Sequence, residues 1–213
     1  MSAPLVLFED PNFCVLDKPP GWLSIAGRDR ESPVLVDWLE KAKESPLFGS
    51  KAFVVHRLDR DTSGVILFAR TKEAHRRASM AFENRETKKL YECLATGNPP
   101  LPIFRVTDPI EGAASQTQVE VLTRGAPGFH ARVRIFTGRR HQIRIHLANR
   151  GFPIWGDLQY GGAGKVLGVA MTRMALHARR LEIPGIGAFE APLPVDMQKW
   201  MALLYPASPQ ERG

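Results

Sequence analysis

The stretch HRLDRDTSG, His56 to Gly64, sets two carboxylates, Asp59 and Asp61, beside Arg57 and Arg60, with Arg70 at the end of the run that follows. Nearby guanidinium groups hold a carboxylate in its ionised form, the state in which it can act as a nucleophile. The plainer reading of Asp-x-Asp is a turn whose acids cap the next element or pair with the arginines. Thr62, Ser63 and Gly64 make a tight polar turn into the apolar run VILFAR, so the acids sit at the mouth of a strand. Ser63 lacks the Gly-x-Ser-x-Gly frame of a hydrolase elbow. Thr62 and Ser63 are expected to bond the turn backbone and hold Asp59 in place.

A second constellation is TGRRHQIRIHLANR, where Arg139, Arg140, Arg144 and Arg150 follow Gly138 with no acid among them. Read as a helix, it puts Arg140 and Arg144 on one face with His141 beside them, and turns Ile143 and Leu147 to the core. A cationic surface of this kind suits a phosphodiester backbone, and its plainer alternative is a solvated helix face. In KKLYECLATG, strand alternation puts Tyr91 with Cys93 and Leu90 with Glu92. Tyr91 is placed either to stack on a base or to serve as a core aromatic. His56, His141, His146 and His177 show no metal-ligand spacing with a supporting acid, so structural or RNA-contact roles are expected for them. GGAGKVLG does not satisfy the phosphate-loop pattern.

These residues need elements to hold them. The sequence predicts two strands joined at Asp10-Pro11-Asn12 and broken at Lys18-Pro19-Pro20-Gly21. A helix should follow, with Ser32 as cap, Pro33 at its first position, and Val34, Leu35, Trp38, Leu39 and Ala42 at helical spacing. Gly64–Arg70 reads as a central strand, and TKEAHRRASMAFENRE as a helix capped by Thr71. KKLYECLATG is a further strand. Beyond a proline-rich connection, QTQVEVLTR and FHARVRIFTG alternate as half-buried strands, with Phe129, Ala131, Val133 and Ile135 on one face. A helix before Gly151, a strand around MALHARRLEI and a last helix near Met197–Leu204 complete an α+β pattern with a largely antiparallel or mixed sheet.

The 213 residues are 44% hydrophobic, enough for one core or two small lobes sharing a sheet. Lys and Arg total 29 against 22 Asp and Glu, a net +7 that favours polyanionic partners. No run approaches the roughly 18 apolar residues of a membrane span. The N-terminus reads as no signal peptide, and Cys14 and Cys93 suggest neither a disulfide framework nor a zinc site. A cytoplasmic protein without a metal is expected.

Taken in order, these segments resemble the RluA-type pseudouridine synthases. DKPPGWLS resembles the family's first motif, HRLDRDTSGVILFAR its second, and KKLYECLATG its tyrosine-bearing strand. GRRHQIRIHLA resembles its third motif, and GFPIWGDLQYG, MALHARRLEI and FEAPLP its closing run. The resemblance implies a pseudouridine synthase fold, a central mixed, mostly antiparallel sheet with flanking helices and an RNA-binding cleft, over a single catalytic domain spanning 1–213 without an S4 domain. It implies isomerisation of selected uridines in structured RNA, a ribosomal RNA hairpin or a transfer RNA stem-loop. Asp59 matches the catalytic aspartate, Tyr91 the base-stacking tyrosine and Arg144 the arginine that pairs with the aspartate. Arg57 matches the residue that enters the stack vacated by the flipped nucleotide, and Leu176 an apolar residue of the base pocket. Arg139, Arg140, His141 and His56 join Arg57 and Leu176 as expected RNA contacts. No cofactor, DNA or membrane partner is implied, and a monomer is the default. The rival reading is a noncatalytic RNA-binding protein on the same scaffold. A hydrolase using Asp59 and Asp61 is a third and less favoured one.

Overall fold

The computed structural model describes residues 2–27, 29–41 and 51–204. Among them the elements run β1 (Leu5–Glu9), β2 (Phe13–Lys18), α1 (Leu35–Lys41), β3 (Phe53–Val54), β4 (Ser63–Ala69), α2 (Lys72–Glu83), β5 (Lys88–Ala95), β6 (Ile103–Val106), β7 (Thr117–Gly125), β8 (Gly128–Ile135), α3 (Gln142–Asn149), β9 (Lys165–Val166), β10 (Val169–Ala170), β11 (Leu176–Ile183), β12 (Gly187–Glu190) and α4 (Val195–Met201). Ten strands make a mixed sheet in the order β1-β2-β4-β11-β5-β8-β7-β6, with β3 beside β4 and β12 beside β11. Helices flank it, so the fold is α+β as the sequence predicts. Two compact units can be described, Met1–Leu90 with Ala178–Pro192, and Tyr91–His177 with Leu193–Gly213.

In the first unit β2 pairs antiparallel with β1 and with β4, in the register Cys14↔Phe68 and Leu16↔Ile66. Every residue of β4 is buried, which its near-continuous apolar sequence requires of a strand covered on both faces. The Thr71 hydroxyl caps α2 by accepting from the Ala74 N–H (3.1 Å). Ala74, Ala78 and Ala81 then meet Phe13, Val15, Val65, Leu67 and Leu181 in the core. Gly64, at φ +112°, lets β4 approach β11 so closely that a Cβ would lie 2.2 Å from the Ala178 carbonyl oxygen. The helix expected from Ser32 starts later, at Leu35. Val34 forms a parallel bridge with Leu23, whose N–H donates to the Pro33 carbonyl (2.9 Å), while Ser32 bonds Asp29 instead of capping. Ala42 lies outside the described residues.

In the second unit β7 and β8 form a hairpin from Thr117↔Ile135 to Gly125↔Gly128, and Phe129, Ala131, Val133 and Ile135 are all buried. Ile143 and Leu147 of α3 join that core, as predicted, with Leu94, Trp155 and Trp200. The expected helical pairing of Arg140 with Arg144 is corrected: α3 starts at Gln142, and His141 before it is left-handed at φ 55°. Arg140 therefore belongs to the loop. The short strands β3, β6, β9, β10 and β12 are not predicted by the sequence; with two to four residues each, they carry too little periodicity to read.

Candidate active site

Asp59 stands, half-buried, in the loop from β3 to β4, and its neighbours' backbone groups are tied down on both sides. The buried Ser24 hydroxyl accepts from the Leu58 N–H (3.1 Å) and donates to the Leu58 carbonyl (3.2 Å). The Asp59 carbonyl accepts from the Thr62 N–H (3.1 Å), closing the turn. The Arg60 carbonyl accepts from the Gly21 N–H (2.9 Å) and from the Lys18 ammonium (2.7 Å). Lys18 is fully buried and also donates to the carbonyls of Trp22 (2.8 Å) and Pro19 (3.1 Å). Pro19 and Pro20 break the strand, so carbonyls here lack a ladder partner, and one ammonium with three donors satisfies them. The segment DKPPGWLS is thus the cradle of the Asp59 loop.

The rest of HRLDRDTSG divides into fold and surface. His56 Nε2 accepts from the Leu67 N–H (3.0 Å), and its ring stacks on Phe82 at 4.8 Å. Burial, aided by the positive charge of Lys89, pushes its pKa down to about 3. A neutral imidazole committed to a strand amide serves the fold. Arg57 is exposed and has no protein partner among the described residues. Asp61 pairs with Arg60 (3.1 Å), which also reaches Asp29 (3.2 Å). The Ser32 hydroxyl, followed by the Ser32 and Glu31 amides, holds the Asp29 carboxyl down at about 2. Asp61 therefore belongs to an exposed ion cluster, whereas Asp59 belongs to the cradle.

In the second unit Arg144 is gripped edge-on by a residue the sequence reading did not single out. Its Nε donates to Asp157 Oδ2 (2.7 Å), and its Nη2 to Asp157 Oδ1 (2.8 Å) and Gln159 Oε1 (3.0 Å). The guanidinium carbon lies 4.8 Å from the centre of the Tyr160 ring, and the Tyr160 hydroxyl hydrogen-bonds His141 Nδ1 (2.9 Å). Gln142, also buried, accepts at Oε1 from the Thr137 hydroxyl (2.7 Å) and the Arg139 N–H (3.0 Å). Its Nε2 donates to the Gln116 carbonyl (2.9 Å) and the Thr117 hydroxyl (3.0 Å). That network fixes the loop carrying Arg139 and Arg140, both exposed; Arg139 Nε donates to the Ala114 carbonyl (3.3 Å). Tyr91 packs, half-buried, against the core cluster that contains Leu176, itself buried. Asp59, Arg57 and His56 thus lie in the first unit, and Tyr91, Arg139, Arg140, His141, Arg144 and Leu176 in the second.

The family model described as RNA pseudouridylate synthase matches residues 12–149. The chain is 32% identical to the ribosomal large subunit pseudouridine synthase D of Pseudomonas aeruginosa, over 93% of this chain and 71% of that protein. The chain belongs to the RNA pseudouridylate synthase family. It is an isomerase that converts uridine to pseudouridine in RNA. This synthase is also 35% identical to the dual-specificity RNA pseudouridine synthase RluA of Escherichia coli, with 88% of this chain and 92% of that one covered. Its fold matches that of human RNA pseudouridylate synthase domain containing 4 at a TM-score of 0.81, with 21% identity over 94% of this chain and 92% of the other. No helix among the described residues of the synthase is long and apolar enough to cross a membrane.

Four residues of this synthase escaped the sequence reading in their roles: Lys18, Ser24, Gln142 and Asp157. Each is a polar side chain almost wholly buried by long-range partners; Lys18 and Arg60 are 42 positions apart. Their one available signal was membership of the quoted motifs.

Proposed function

We propose that this synthase acts on selected uridines in structured RNA, a ribosomal RNA hairpin or a transfer RNA stem-loop, with Asp59 as its nucleophile. The cradle around Leu58, Asp59 and Arg60 is the observation that carries the reading: it holds the backbone of one carboxylate through five hydrogen bonds and leaves Asp61 to the surface. In the reaction the bond from N1 to C1′ breaks, the base turns, C5 bonds to C1′, the C5 proton leaves and N1 gains one. Attack at C1′, attack at C6 and elimination all require an ionised carboxylate. Arg144 is its counter-cation and orients it, and Tyr91 stacks on the base. The target nucleotide leaves the helical stack at a cost of a few kcal/mol, which an inserted Arg57, exposed and without a protein partner among the described residues, partly offsets. Arg139 and Arg140 hold phosphates. The names of relatives, one acting on the large ribosomal subunit and one of dual specificity, support this substrate class.

Asp59→Asn should abolish tritium release from a 5-tritiated transcript while fluorescence anisotropy shows RNA binding retained. Turnover by Asp59→Asn at the rate of the parent enzyme would remove the nucleophile assignment. Pseudouridine mapping of cellular RNA with and without the protein gives the target.

A further inference from the structure

We infer that Asp157 is a positioning residue: it fixes the plane and direction of the Arg144 guanidinium, and turnover depends on that hold. The inference rests on the reading that Arg144 orients Asp59. Its evidence lies within the second unit. The Arg144 and Asp157 side chains are 10% and 2% exposed, and the carboxylate meets the Nε and Nη2 edge through two hydrogen bonds of 2.7 and 2.8 Å. This two-point fork fixes a plane, which a single contact cannot do. Gln159 Oε1 adds a bond at Nη2, and the Tyr160 ring covers one face.

All four of these contacts come from three residues of one short segment, GDLQYG, whose own backbone is locked. Gly156 takes φ +76° where a Cβ would lie 2.0 Å from the Arg173 carbonyl oxygen, and the Gly162 N–H donates to the Asp157 carbonyl (2.8 Å). His141 adopts φ 55°, an uncommon conformation for a residue with a side chain, and its ring meets the Tyr160 hydroxyl. A buried ion pair is a poor source of stability, because desolvation offsets most of its attraction. What such a fork supplies is geometry. A lysine in place of Arg144 cannot supply that geometry.

The test is Asp157→Asn, which keeps the volume and loses the fork. We expect kcat to fall roughly 10²-fold, KM to stay within roughly threefold, and the Arg144 Nε–H proton to exchange slowly in the parent, as its buried bond to Asp157 requires, and fast in the variant. Arg144→Lys and the double variant Arg144→Lys/Asp157→Asn should turn over alike, since an ammonium can pair with Asp157 but has no plane for it to fix. An unchanged kcat in Asp157→Asn, or a loss that adds in full to that of Arg144→Lys, overturns the inference. Should Asp157→Asn not fold, Gln159→Leu at an exposed position carries the test: kcat falls severalfold at constant Tm, and an unchanged kcat overturns it. If the parent enzyme releases no tritium from any transcript, the functional reading fails by itself. The Nε–H exchange rate then decides whether Asp157 holds Arg144, and equally slow exchange in Asp157→Asn overturns that.

Discussion

Ser24→Ala is the most direct probe of the Asp59 cradle. The substitution removes one oxygen and no charge, yet that oxygen serves both the N–H and the carbonyl of Leu58, the residue before Asp59. Both bonds are buried, and Leu58 is only 8% exposed, so the two backbone groups lose their partner where water is scarce. An orphaned buried donor or acceptor costs about 1–3 kcal/mol, giving about 2–4 kcal/mol for the pair after partial relaxation. In a chain of this length each kcal/mol lowers Tm by about 2–4 °C, so a drop of roughly 5–15 °C is expected by calorimetry. The same loosening lets the Asp59 carboxylate wander, and kcat measured well below the new Tm should fall roughly 10-fold to 10²-fold with little change in RNA affinity. A variant with the parent Tm would refute the accounting of the cradle. A variant with lowered Tm but the parent kcat would refute its connection to chemistry.

Two further outcomes follow from the surface and the core. Arg140→Ala should weaken RNA binding and lower the slope of log affinity against log salt by about 0.7–0.9, with Arg139→Ala smaller because its Nε already serves the Ala114 carbonyl; unchanged slopes in anisotropy titrations would remove both from the phosphate contacts. His56 is held near 3 when folded, whereas an imidazole in an unfolded chain titrates near 6.5. The unfolded chain therefore takes up the proton first, so this stability is whole above about pH 6.5 and drains away as pH falls toward 3. About 2 kcal/mol should be lost between pH 7 and 5, in urea titrations that compare the parent with His56→Gln. His146, also pushed down by burial, adds in the same sense in both proteins.

Where a pattern repeats along one element, the chain could be read directly. The unbroken apolar run of β4, the Thr71 cap of α2 and the alternation of β8 are local signals, and each appears where expected. The Ser32–Pro33 signal places the start of α1 too early because the pairing of Val34 with Leu23, a contact outside the helix, outcompetes it. Arg140 reads as helical for a related reason: the Gln142 side chain organises the entry to α3, and a buried glutamine looks in sequence like any surface residue. The same applies to the candidate site. In sequence a charge reads as solvent-facing or catalytic, while Lys18 and Asp157 are neither; they are buried charges that hold backbone carbonyls and a guanidinium.

The cradle also bears on how recognition is shared between the two molecules. A carboxylate loop fastened at three consecutive residues has little conformational entropy left to lose when RNA arrives. It is pre-organised before any encounter, and on the reading proposed above, with Asp59 as the nucleophile, the adaptation falls to the nucleic acid, which unstacks and bends to present a uridine. On that reading, selection among uridines follows how readily each RNA deforms, and a flexible or weakly paired loop should be modified faster than a rigid duplex of identical sequence around the target.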